Sequence, residues 1–424
     1  MGTANSLLAR AMTERLTVTS VGHQGDGICG TSSEPLYVPY ALPGETVSVD
    51  AWPGHPDRRR LIRIESASRE RTVPICPHFG RCGGCAMQHW HKAQYQAWKR
   101  GLLVHVLAKV GLDVPVDDLI DASAGGRRRA VFHARLDADA QPRVGFSARL
   151  SHELVAIDRC PILAPQLDGA IDAVRALAVY IARLRKPLDF QVTATPAGLD
   201  VDVRGSGPLS PSDMACLAAL TEPHALARLT RHGELVAQRA VPMIRIGRAE
   251  VVLPPGAFLQ ATAVAEAILQ ELVVAYCRRA GRVADLFCGV GPFALRLAEQ
   301  TRISAFDVDA AAVAALRGAA AKAQGLKPIE AQVRDLFHSP LSAEELDRFD
   351  AVVLNPPRQG SEAQARSLAA SSVRSVVMVS CNPVTFARDA RILVEAGYKL
   401  AQVTPIDQFL YSPHLELAAS FRRQ

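Results

Sequence analysis

The chain has 424 residues, 49% of them hydrophobic and 21% charged, which suggests two to four domains and excludes a disordered tail or a disulfide miniprotein. Its longest apolar runs, such as Ser375 to Ser380 or Leu272 to Tyr276, fall far short of the roughly 18 residues that cross a bilayer, so a soluble protein with no membrane partner is expected. Residues 1–150 hold 19 basic and 14 acidic side chains, hence +5 of the net +6, a balance that permits a polyanionic partner without requiring one.

Met1-Gly2-Thr3-Ala4-Asn5-Ser6 formally fits a myristoylation pattern, but that pattern is short and frequent by chance. Met1 to Leu16 has no continuous apolar stretch or small-residue cleavage site of a secretory signal, so the expected address is the cytoplasm. From Arg15 to Ser66 short alternating segments are separated by Gly25, Gly27, Gly30, Pro43-Gly44 and Pro53-Gly54. Turn residues at such spacing predict a small antiparallel, OB-like barrel over 14–70.

A second region, 71–250, reads as mixed helix and strand and opens on Cys76-x5-Cys82-x2-Cys85 among Phe79, His89, Trp90, His91, Tyr95 and Trp98. Three thiols within ten residues, with Cys160-Pro161 as a distant fourth, point to a metal site in a reducing compartment. By softness, four thiolates suit zinc and an iron-sulfur cluster equally. A zinc ribbon normally adds a second Cys-x2-Cys, whereas a lone fourth cysteine before proline is closer to cluster ligation. His78, His89 and His91 are reserve zinc ligands, and Cys29, Cys216, Cys277 and Cys288 are expected to be packing residues.

From Gln260 a helical stretch to Ala280 is followed by apolar strands at Val283–Phe287, Ile303–Asp307, Ala351–Leu354 and Ser375–Ser380, with Ala-rich helical segments between them. Strands at Leu400–Pro405 and Leu415–Phe421 follow, joined by a short connection. This predicts a doubly wound sheet over 251–424 that ends in an antiparallel strand and takes its ligand at the carboxyl ends of the strands. The turn Asp285-Leu286-Phe287-Cys288-Gly289-Val290-Gly291-Pro292 joins strand to helix, and Ala294 stands where a third glycine would be. That spacing suits a nicotinamide or an adenosyl ligand alike. Asp307, at the end of the next strand, is placed to accept both ribose hydroxyls.

Asn355-Pro356-Pro357-Arg358 presents Asn and Arg on a stiff loop at the same edge, suited to holding a planar base. Ser380-Cys381-Asn382-Pro383 puts a thiol there, and a thiolate is the side chain best suited to attack an electron-poor ring carbon. Glu416, at the start of the last strand, is a candidate general base.

Taken together, these segments resemble the S-adenosylmethionine-dependent RNA uracil-5 methyltransferases, especially the iron-sulfur members that modify 23S ribosomal RNA. The likeness covers nearly the whole chain. Its carriers are the barrel of TRAM type, the cysteine spacing with its later Cys-Pro, Phe258-x-Gln260, the Asp-Leu-Phe-Cys-Gly-x-Gly turn, the Pro-Pro-Arg loop and Ser-Cys-Asn-Pro. It implies a class I methyltransferase domain of Rossmann-like fold behind the barrel and a central α/β region with a [4Fe-4S] cluster on Cys76, Cys82, Cys85 and Cys160. By the same resemblance Gln260, Phe287, Asp307 and Asp335 contact the methyl donor, with Asn355 beside them, Cys381 is the nucleophile and Glu416 the base. The family usually has Asp where Asn355 stands and Asn or similar where Pro292 stands. Asn355 keeps hydrogen-bonding capacity without the charge, and Pro292 is not carried over as a ligand.

C5 of uracil is a poor nucleophile toward a sulfonium methyl, and addition of a thiolate at C6 turns the ring into an enolate that carries electron density to C5. The target must be unstacked to be attacked, so a loop of RNA is a better substrate than a duplex interior. Arg58–Arg60 and Arg127–Arg129 are either backbone contacts for that RNA or solvated faces. Ribosomal RNA is favoured over transfer RNA, and a monomer is expected. Two other readings use fewer of the residues: amino-group methylation through Asn-Pro-Pro, which leaves Cys381 without a task, and a non-catalytic RNA-binding assembly factor.

Overall fold

The computed structural model describes residues 13–31, 33–181 and 187–423; the myristoylation pattern at 1–6 lies outside them. The chain divides into two compact units. The first runs to Lys99 and takes in Tyr411–Pro413, and the second holds Arg100–Leu410 and His414 onward. No helix among the described residues is long and apolar enough to cross a membrane.

The first unit carries β1 (Glu14–Thr17), β2 (Ser20–Val21), β3 (Asp26–Gly30), β4 (Pro35–Pro39), β5 (Thr46–Trp52) and β6 (His55–Ser66). They form one sheet in the order β1-β5-β6-β4-β3-β2. Its pairs are antiparallel except for the parallel contact of β4 with β6 at Tyr37 and Arg58. Alternation builds the core: along β5, Val47 and Val49 are buried and join Val18, Cys29, Val38 and Ala41, while Ser48 and Asp50 face outward. Buried Glu45 accepts from the Leu42 N–H and from Arg71, so its charge is paired.

In the second unit, α1 (Lys92–Lys109) enters from the first. A short strand β7 (Ile120–Asp121) follows, then β8 (Arg129–Leu136), β9 (Pro142–Ser147), β10 (Leu154–Ala156), α2 (Ala170–Ile181), β11 (Leu188–Thr195), β12 (Gly198–Arg204), α3 (Pro211–Ala219), β13 (Leu226–Arg231) and β14 (Glu234–Gln238). Strands β8 to β14 make a seven-stranded sheet ordered β10-β9-β8-β11-β12-β13-β14. A hairpin of β15 (Met243–Ile246) and β16 (Ala249–Val252) leads on to the C-terminal sheet.

That sheet contains β17 (Arg282–Leu286), β18 (Arg302–Asp307), β19 (Ile329–Val333), β20 (Ala351–Leu354), β21 (Ser375–Ser380), β22 (Lys399–Asp407) and β23 (Glu416–Arg422). Between them lie α4 (Ala263–Cys277, ahead of β17), α5 (Ala294–Leu297), α6 (Ala310–Lys322), α7 (Ala343–Leu346), α8 (Glu362–Ala370) and α9 (Pro383–Glu395). The order is β19-β18-β17-β20-β21-β23-β22-β7. Both faces are covered, and the two-residue period of a strand sorts side chains between them. Val283, Ala351, Val353, Val377 and Val379 enter one core, and Ala284, Leu286, Val352, Leu354, Val376 and Met378 the other.

Strand β23 runs antiparallel to both β21 and β22, as the short connection before it predicts. Chain order reverses between β17 and β20, which opens a crevice at their carboxyl ends. Because β23 is reversed, its first residue, Glu416, lies at that same edge.

Candidate active site

The edge of the sheet surrounds a cavity of about 490 Å³, a usual size for a small-molecule site. All seven site residues expected in this domain line it: Gln260, Phe287, Asp307, Asp335, Asn355, Cys381 and Glu416. Phe287, Asn355 and Cys381 directly follow strands, Asp307 ends one and Glu416 opens one, so the sheet sets their direction; Asp335 lies just past β19 and Gln260 just ahead of α4.

After β17 the backbone turns sharply. Phe287 takes a left-handed φ of 63°, a conformation costly for a residue with a Cβ and recurrent at ligand sites. Gly291, at φ 87°, packs so closely on α6 that an added Cβ would come within 2.4 Å of the Leu316 side chain. The glycine therefore serves helix–turn packing. Asp307 ends β18, and its two oxygens accept one N–H each, from Gly289 at 2.8 Å and Asp309 at 2.9 Å. Each oxygen keeps a lone pair to accept further hydroxyls, so the site fits the ribose of an adenosyl ligand.

Asp335 follows β19 and is tied into its own turn by His338 and by the N–H groups of Phe337 and His338. The His338 bond is the main reason its carboxyl lies below the ordinary range. At the end of β17 the wholly buried Asp285 is pushed up to about 8 by burial, against which the Ala294 N–H works.

Helix α9 begins directly after Cys381. Pro383 opens it, and the Asn382 side chain caps it by accepting the Val384 N–H. The same helix clamps the Pro-Pro-Arg loop: Asn382 Nδ2 and Thr385 Oγ1 donate to the Arg358 carbonyl at 2.8 and 3.1 Å, and Arg388 donates to the Gln359 carbonyl. Asp389 accepts the Ser361 N–H at 2.7 Å. The loop and the thiol are thus held by one helix.

Burial is the first cause that pushes the Cys381 thiol up, and Glu416 adds to it; Arg358, beside the sulfur, pulls the other way by charge and hydrogen bond. Glu416 is itself pushed up to about 8 by burial, opposed by a hydrogen bond from Gln408. The cavity therefore holds a thiol whose ionisation a nearby carboxyl opposes and a guanidinium favours.

Sequence reasoning missed Gln408 and left the two arginine runs open. Gln408, fully buried after β22, donates from Nε2 to Gln260 Oε1 and to Glu416 Oε2, both at 2.7 Å. A glutamine that ends a strand carries no periodic or spacing signal. The run Arg127–Arg129 is not a solvated face: Arg127 lies over Phe409, Arg128 pairs with Glu266 and the Gln260 carbonyl, and Arg129 stacks 4.6 Å from the centre of exposed Phe258 at the cavity. Burial, followed by repulsion from Arg128 and Arg127, pulls Arg129 down to about 10. In the first unit Arg58 pairs with buried Asp26, Arg59 with Glu14, and Arg60 lies over Trp52.

The cysteine loop of the first unit has no regular helix or strand between Cys76 and Cys85. Cys76, Cys82 and Cys85 are half-buried there, and Cys160 is half-buried in the second unit. Burial pushes the Cys82 thiol up and the nearby Cys76 sulfur adds to it. As a donor set these soft thiols fit a thiolate-bound group, yet among the described residues no three His, Cys, Asp or Glu side chains gather closely enough to hold a metal ion. Of the four cysteines expected to pack, Cys29, Cys277 and Cys288 are buried, but Cys216 is exposed, because α3 turns Asp213 and Leu217 inward instead.

The fold and the cavity at its switch point are those of a class I methyltransferase, and residues 250–376 match the model of the methyltransferase small domain. The chain is 44% identical over 412 residues to an uncharacterized RNA methyltransferase of Brucella suis, covering 97% of this chain and 98% of that one. It is 35% identical to the 23S rRNA (uracil(1939)-C(5))-methyltransferase RlmD of Pseudomonas fluorescens, over 96% of this chain and 94% of that one. Among solved structures, the Pyrococcus abyssi tRNA (uracil-54, C5)-methyltransferase in complex with S-adenosyl-L-homocysteine superposes with a TM-score of 0.72 at 20% identity, over 96% of this chain and all of that one. The chain belongs to the RNA uracil-C5 methyltransferase family and is an enzyme of that type.

Proposed function

We propose that this enzyme transfers the methyl group of S-adenosylmethionine to C5 of a uridine in RNA, with 23S ribosomal RNA as the favoured substrate, through a covalent bond from Cys381 to C6. The observation that carries this reading is the meeting of Cys381, Arg358 and Glu416 with Asp307 and Phe287 on one cavity. Arg358 favours the thiolate, whose sulfur adds to C6 while the C5–C6 π electrons move onto the ring as an enolate. Bound beside Asp307, the donor supplies a sulfonium methyl that C5 takes up. C5 then carries both the methyl and a proton.

Glu416 removes that proton, the C5–C6 double bond re-forms, and the thiolate leaves. Once its sulfur is bonded to C6, Cys381 bears no charge and adds no repulsion at the step that needs the Glu416 carboxylate. Asn355 and Arg358, held on the clamped loop, face the ring. Arg129 with Phe258 offers a stacked cation and aromatic at the mouth, suited to an unpaired base and its phosphate. Ribosomal RNA is favoured over transfer RNA because relatives named for 23S rRNA match at higher identity than the structure named for tRNA. Arg358 stands where an amino methyltransferase would put a stacking aromatic, which counts against that alternative.

The division of labour we propose gives the OB-like region 14–70 and the central region 71–250 to RNA and a cluster, and 251–424 to the methyl transfer. On the lone fourth cysteine before proline and the family resemblance, Cys76, Cys82, Cys85 and Cys160 are assigned as the ligands of a [4Fe-4S] cluster that acts as a structural staple, since the cycle above transfers no electrons. Anaerobically purified protein should then show the visible absorbance of such a cluster, and Cys82→Ser should lose it; a colourless wild type with bound zinc would replace this assignment. For the reaction, RNA containing 5-fluorouridine and labelled S-adenosylmethionine should give a denaturation-resistant protein–RNA adduct. Methylation of ordinary RNA without any such adduct would overturn the Cys381 mechanism.

A further inference from the structure

One fully buried side chain at the centre of the site has no task in this cycle. Gln408 is 1% exposed, and every polar group of its amide is engaged. Its Oε1 accepts the Ala261 N–H at 2.7 Å, and its Nε2 donates to Gln260 Oε1 and to Glu416 Oε2, each at 2.7 Å. A backbone N–H only donates, so the oxygen of the amide must face Ala261 and the NH2 group must face the other two. The orientation is decided by chemistry on all three sides.

We infer that Gln408 is a positioning residue that sets which oxygen of Glu416 takes the proton and which end of the Gln260 amide meets the bound ligand; this rests on Glu416 being the base. The nitrogen of Gln408 has no lone pair to offer, so it holds Glu416 Oε2 as an acceptor and lowers its basicity, which directs the transferred proton to Oε1. Gln260 Oε1 is likewise occupied, which leaves the NH2 end of Gln260 for the cavity that it lines. The ligand atom there is an acceptor. One amide thus orients both a proton acceptor and a ligand contact, and it comes from the strand already paired with Glu416: Ile406 is the cross-strand partner of Glu416, and Gln408 lies two residues further on.

Of the titratable and charged groups, Cys381, after β21, is coupled to Glu416 on one side and to Arg358, after β20, on the other, while Arg129, Asp307 and Asp335 line the same cavity. The hydrogen-bonded neighbour of Glu416, Gln408, and Gln260 beyond it, are uncharged. Donation from Gln408 favours the carboxylate and works against burial, which holds Glu416 near 8. Gln408→Met keeps the volume and removes both donors, so the carboxyl should rise further.

The test follows turnover of the full chain on ordinary RNA against pH, with labelled S-adenosylmethionine. In Gln408→Met the rise of activity should move to higher pH by about one unit, and the adduct with 5-fluorouridine RNA, which needs no proton removal, should still form. A rise that stays in place, or a loss equal at every pH, overturns the inference. An absence of adduct in the wild type is a different failure, that of the Cys381 reaction itself. If Gln408→Met does not fold, the side-chain amide signals of Gln408 in the wild type serve instead. They should titrate with a midpoint near 8 and stop titrating in Glu416→Gln, and an invariant signal overturns the inference.

Discussion

Two sets of cysteines carry the proposed chemistry of this chain, and they are built in opposite ways. Cys381 stands at the end of β21, whose six residues are all buried, and the cap and side chains of α9 fix the loop beside it. Cys76 and Cys85 stand in irregular loop and Cys82 makes no more than an isolated β-bridge. A thiol at a strand end inherits its direction from a packed sheet, so it meets Glu416 and Arg358 without a ligand to gather them. Thiols in irregular loop have no such scaffold, and a bound group would itself supply the cross-links that hold them together.

The largest effect expected from breaking this contrast is at the scaffolded thiol. Cys381→Ala should lower methyl transfer by more than about 10³-fold and abolish the 5-fluorouridine adduct, while the fold, read by circular dichroism, stays. Glu416→Gln should lower turnover by about 10²- to 10⁴-fold and let the covalent complex accumulate on ordinary RNA, visible as a shifted band under denaturing conditions. Turnover without accumulation would reassign the base.

The pH profile of the wild type is the next sharpest probe. Burial raises Glu416 to about 8 and raises the Cys381 thiol as well, and both groups must lose a proton to act. Activity should therefore climb with pH through about 8 rather than plateau near neutrality. A flat profile below pH 7 would mean that neither group limits the rate.

A last effect is on stability and leaves the chemistry untouched. Asp285 has its carboxyl raised from the ordinary value of 3.8 to about 8 by complete burial, so the folded state holds the proton more tightly than the unfolded one. Its contribution is intact below the unfolded value and is lost as pH rises toward the folded one. Asp285→Asn should then be near neutral at low pH and stabilising at pH 8, by at most about 5 kcal/mol. Thermal melts at two pH values check this, and equal shifts at both would refute it.

Much of the C-terminal sheet was legible in advance because its strands are buried on both faces. Ala351–Leu354 and Ser375–Ser380 read as continuous apolar runs, and turn chemistry at their ends marks where side chains with a task should stand. The antiparallel last strand followed from a connection too short for a crossover. Less was legible in the first unit, where alternation predicted strands but not the order β1-β5-β6-β4-β3-β2 or the parallel contact of β4 with β6. Strand β7, two residues long and paired in parallel with the distant β22, left no signal at all.

What the sequence determined by itself was the class of sheet, the edge on which its ligand lies and the residue types at that edge, because periodicity and strand-end motifs are local properties of the chain. What only the tertiary structure decided was how those residues act on one another. Glu416 raises Cys381, Arg358 opposes it, Arg128 pairs with Glu266, and Gln408 ties Glu416, 8 residues away, to Gln260, 148 residues away. Such couplings depend on distances of a few ångströms between segments remote in sequence, and burial strengthens them by excluding water. No local pattern records either.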